Sequence, residues 1–79
     1  MIQFEIEKER NARAYYRLLE EIKVLYRHLY IGIAEGDILS VATSYDLAYQ
    51  KLRKLCPNAQ HYLVFKGGTQ PRLDAKRII

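Results

Sequence analysis

The hydrophobic period changes twice between Leu29 and Lys66, and that constrains the fold more than any other feature of the chain. Tyr30-Ile31-Gly32-Ile33-Ala34 and Ile38-Leu39-Ser40-Val41-Ala42 are two short apolar runs around Glu35-Gly36-Asp37, whose glycine can take the positive φ of a hairpin turn. Thr43-Ser44 then offers a helix N-cap, Tyr45 to Cys56 keeps a helical period, Pro57-Asn58 stops it, and His61 to Lys66 returns to strand composition. The stretch reads as a ββαβ unit.

An amphipathic helix precedes it, starting between Glu5 and Arg10 and ending at Arg27 or Leu29, with no glycine or proline inside. At about 100° per residue, Tyr15, Leu18, Leu19, Ile22, Leu25, Tyr26 and Leu29 share one arc with Ala12 and Phe4. Arg13, Arg17, Glu20 and Arg27 lie opposite, interrupted by Val24, and Glu9–Arg13 and Arg17–Glu21 are oppositely charged pairs one turn apart. The expected fold is α+β in the order α-β-β-α-β, with a three-stranded mixed sheet of order 2-1-3 and both helices on one face. A single domain is expected over residues 1–68, followed by a C-terminal arm over 69–79. The arm is either free or adds through Lys76 to Ile79 to a sheet edge.

The pleat assigns Ile31, Ile33, Leu39 and Val41 to the core face. The opposite face, with Gly32 and Ala34, is poor in side chains and is either solvated or closely approached by something flat. A helix of about 20 residues is about 30 Å long, whereas strands of five or six residues span less than about 20 Å. The first helix should therefore overhang its sheet, leaving Phe4, Ala12, Tyr15 and Tyr16 as candidates for a homodimer interface.

A chain of 79 residues buries a small core, and domains of this size often gain stability from crosslinks, metals or self-association. Cys56 is the only cysteine, which excludes an internal disulfide and suits a reducing, cytoplasmic setting. No apolar run reaches the roughly 18 residues of a membrane span, so no membrane association is expected. Charge is unevenly placed: residues 1–39 hold six bases against seven acids, and residues 40–79 hold seven bases against two. Lys51, Arg53, Lys54, Lys66, Arg72, Lys76 and Arg77 are thus candidate phosphate contacts in a nucleic-acid-binding or antitoxin-like module, or simply a solvated helix face and a basic tail.

Nothing in the residues assembles a catalytic constellation. The two histidines, His28 and His61, stand apart from any serine or cysteine with a supporting carboxylate, and Gly67-Gly68 lacks the Lys-Ser/Thr continuation of a phosphate loop. Cys56 and His61 lie five residues apart, but two ligands do not complete a zinc site. No enzyme activity, metal or cofactor is expected, and a self-associating protein-binding module is the favoured expectation.

The run from Leu29 to Ala48 carries a resemblance. Its apolar strand, Glu-Gly turn, second apolar strand and Thr43-Ser44-Tyr45 helix start resemble small prokaryotic domains of unknown function in which an amphipathic helix precedes this pattern and an apolar strand closes it. The resemblance covers about residues 15–66, and Leu47 departs from it by standing where an acidic residue is usual. It implies the fold above, and a partner hinted at by the retropepsin-like proteases often encoded beside such domains. The same element order is similar, more distantly, to the antitoxin body of HicB-type toxin–antitoxin pairs. That body normally has one more strand before the helix, and the family often carries a separate DNA-binding segment; this chain shows neither clearly.

Overall fold

The computed structural model describes residues 2–69 and Pro71; most of the expected arm, including Arg72, Lys76 and Arg77, lies outside the described residues. The elements are α1 (Gln3–Arg17), α2 (Leu19–Leu25), β1 (Tyr30–Ala34), β2 (Asp37–Ala42), α3 (Tyr45–Leu55) and β3 (Leu63–Lys66). The α+β class and the strand order β2-β1-β3 are as expected. Both ladders are antiparallel, so the sheet is not mixed: β3 runs in the same direction as β2 but never touches it, because β1 lies between them.

The first helix is interrupted once. At Leu18 the backbone drifts to φ −102 and ψ 10, although its amide still reaches Ala14 and its carbonyl still accepts from Ile22. No glycine or proline marks the spot. The break lets both pieces pack on one sheet face, since Ala14 and Tyr15 of α1 and Ile22 of α2 join Ile31, Ile33, Leu63 and Phe65 in a single apolar cluster. One straight, overhanging rod is thus replaced by two shorter helices.

The hairpin turns through Glu35 (φ 54) and Gly36 (φ 80), the paired positive angles that match the twist of the flanking strands. Gly36 is needed there twice over, because a Cβ would also meet the Arg10 side chain at 2.7 Å. A bulge follows: Gly32 pairs with Ser40, but Ile33 pairs with Ile38, so Leu39 is an extra residue in β2. The bulge corrects the expected core face. Ile31 and Ile33 lie fully buried under α1 and α2, joined by Ile38, while Leu39 packs with Leu52 of α3.

The helices consequently occupy opposite faces, not one. On the second face Ala34, Leu52 and Cys56 form their own cluster with Leu39, Ala59, Tyr62 and Val64 around it. Gly32 makes this possible: a Cβ there would lie 2.3 Å from Ser40 Oγ and 2.6 Å from Leu52 Cδ1. The face poor in side chains is therefore one that α3 approaches closely. Ser40 Oγ adds a buried hydrogen bond to the Ala48 carbonyl at 2.9 Å, and Ser44 caps α3 by accepting from the Leu47 amide at 3.2 Å. With layers on both sides, β1 is buried at four of its five residues.

Candidate functional site

The most elaborate polar arrangement lies where α1 meets the hairpin turn and the loop before β3. Glu7 and Asn11 are one turn apart on α1 and both buried, Asn11 completely. Glu7 Oε1 accepts from the backbone amides of Gln60 (2.7 Å) and His61 (3.2 Å), and Oε2 accepts from Gln3 Nε2 at 2.8 Å. The Gln3 hydrogen bond, the two loop amides and the charge of Arg10 hold the Glu7 carboxyl below its ordinary range against the opposing effect of burial. Asn11 Oδ1 accepts from the Gly36 amide at 2.8 Å, while Nδ2 faces His61 Nδ1 at 2.9 Å and the His61 carbonyl at 3.3 Å. An amide nitrogen has no lone pair to offer, so His61 Nδ1 must accept and the ring is neutral with its proton on Nε2. Burial and the nearby Lys8 charge also push the His61 pKa down, with Glu7 opposing them.

The interface candidates separate. Tyr15 is consumed by the protein's own core, 4% exposed and edge-on to Phe65 at 5.4 Å, so it is unavailable to a partner. Tyr16, edge-on to Tyr15 at 5.2 Å, is 61% exposed. Ala12 is half-buried. Phe4 is 40% exposed and sets its ring edge-to-face against His61 at 5.4 Å. Tyr15, Tyr16, Leu19 and Lys23 face Gly67, Gly68 and Thr69 across a shallow cavity of about 260 Å³ beside the helix break.

The four basic candidates among the described residues do not form one stripe. Lys51 reaches back to the Val41 carbonyl of β2 at 3.2 Å, whereas Arg53 lies over the Tyr49 ring at 5.8 Å on the other flank of α3. Lys54 and Lys66 are exposed, and Lys66 closes β3. Beside Arg53 stands an aromatic row. Tyr45 and Tyr49 are nearly parallel with centroids 6.4 Å apart, and Tyr49 meets the Tyr62 ring edge-on at 5.5 Å. Tyr45 is 51% exposed.

Cys56 and His61 do not act together: the thiol is buried, its pKa pushed up by burial and the Glu35 charge, and His61 Nδ1 is committed to Asn11. Among the described residues no cluster of three or more His, Cys, Asp or Glu could hold a metal, and no helix is long and apolar enough to cross a membrane. In comparison with known proteins the chain matches no family model, no curated protein and no solved structure.

Proposed function

We propose that this protein works by binding other proteins, a second copy of itself included, and not by catalysis. The observation that carries this reading is the outer surface of α2, where Ile22 is the only buried residue and Val24 and Leu25 stand 75% and 61% exposed. Both sheet faces already have their helices, so among the described residues these side chains serve no internal packing, and Tyr16 adds a third large exposed apolar side chain. The reason for self-association therefore moves from an overhanging helix to an apolar outer surface.

Sedimentation equilibrium tests this directly. Reversible dimerisation at tens of micromolar, abolished by Val24→Lys with Leu25→Glu, is the expected result; a 9.3 kDa monomer at every concentration overturns self-association.

A second reading rests on Tyr45, Tyr49 and Arg53, since an exposed ring stacked on a half-buried one beside a guanidinium suits stacking of bases in a single-stranded nucleic acid. Binding of a single-stranded oligonucleotide that falls steeply with salt, and is lost in Tyr45→Ala, supports it. No binding at about 50 mM salt removes it.

A further inference from the structure

We propose that the junction of Glu7, Asn11 and His61 is an acid-sensitive latch, which fastens the N-terminal half of α1 to the loop before β3 and opens when the His61 ring takes up a second proton. The geometry leaves the protonated ring no place. Its new Nδ1–H would point at Asn11 Nδ2, which is itself a donor, at 2.9 Å. Turning the Asn11 amide over would offer an oxygen to the ring, but it would set an NH2 group against the Gly36 amide and an oxygen against the His61 carbonyl. Asn11 is fully buried, so no water can replace either partner without opening the packing. The ring is half-buried and can leave instead, giving up Asn11 and the edge of Phe4.

The surrounding charges do not rescue the cation. From α1, Lys8 repels it and Glu7 attracts it, but the Glu7 oxygens are already engaged by the Gln60 and His61 amides and by Gln3. From the hairpin turn, Glu35 directs its influence to Cys56 at the end of α3. The neighbouring Tyr62 hydroxyl donates to the Cys56 carbonyl. The sign follows. An unfolded histidine takes its proton near pH 6.5, and the latched ring only at lower pH, so the unfolded or unlatched chain binds more protons and stability falls as pH drops below about 6.5. Glu7 acts in a separate window, losing its contribution only as pH falls below the ordinary carboxylate value and through its own depressed one.

The test is amide hydrogen exchange, corrected for intrinsic rates, with NMR titration of the His61 ring. In the intact protein the ring should be the Nε2–H tautomer at pH 7.5. Protection of the Gln60 and His61 amides should fall at least tenfold by pH 5, together with loss of the Phe4–His61 contact. Glu7→Gln, which keeps the acceptor and removes its titration, should retain that step. Asn11→Asp supplies an acceptor for a protonated Nδ1, so the His61 midpoint should rise and the pH dependence of protection reverse. A ring titrating at its ordinary value with protection unchanged through that titration overturns the latch, as does an Asn11→Asp variant whose His61 midpoint does not rise. If that variant fails to fold, His61→Phe decides: protection flat from pH 7.5 to 5 supports the latch, and an unchanged acid step overturns it.

Discussion

The two helical layers grip the same central strand in different ways. Under α1 and α2, β1 presents Ile31 and Ile33, both fully buried, and the contact is made of side-chain volume with Phe65, Leu63 and Tyr15. Under α3, the alternate residues are Gly32 and Ala34, and the contact is made of proximity: Leu52 settles where side chains are missing and Ser40 bonds a helix carbonyl. The strand pleat separates these two solutions by a single residue. The lesson is that small residues on a strand can mark a buried face as firmly as large ones do.

That contrast can be broken from either side. Ile31→Ala should be the most damaging change, costing about 2–5 kcal/mol in denaturant unfolding because it opens a cavity in a fully packed layer. Gly32→Val is the opposite insult. It overfills the α3 contact and should cost about 1–3 kcal/mol, part of which Leu52→Ala in the same chain should recover because the clash is with that side chain as well as with Ser40 Oγ. Without the recovery, the approach of α3 is not what requires the glycine.

Smaller effects sharpen the comparison. Glu7→Ala strands the Gln60 and His61 amides, and should cost about 1–3 kcal/mol, with the loss concentrated in exchange protection of α1 and the loop. Ser44→Ala removes the cap of α3 alone, for about 1 kcal/mol. Arg13→Ala breaks the 3.1 Å pair with Glu9, whose side chains are 77% and 58% exposed, and should stay within about 0.5 kcal/mol by thermal unfolding.

The order of elements was legible because each change of period coincides with turn chemistry, as at Gly36, Ser44 and Pro57. Local signals of this kind say little about which face a helix will cover. Gly32 and Ala34 suit a solvated face and a tightly packed one equally, and only the position of α3 decides between them. The bulge that moves Leu39 to the other face depends on pairing between strands and leaves no mark within β2. Leu18 carries no helix breaker, so the break between α1 and α2 leaves no local mark either.

The polar junction was missed although a signal for it existed. Glu7 and Asn11 fall on the same arc as Leu18 and Ile22, so two polar side chains occupy the apolar face of α1, where burial requires partners. Those partners, Gly36 and Gln60-His61, lie 25 to 54 residues away, and no local pattern could name them.

The two-sided arrangement is the claim on which the rest depends, because among the described residues it leaves Val24 and Leu25 of α2 and Tyr45 of α3 exposed. Isotope-edited nuclear Overhauser spectra of the leucine and isoleucine methyl groups test it most directly. We expect Leu52 methyls to contact Gly32 and Ser40 but not Ile31 or Ile22, and Ile22 to contact Ile31 and Phe65 but not Leu52. Strong contacts between Leu52 and Ile22 would place both helices on one face and contradict it.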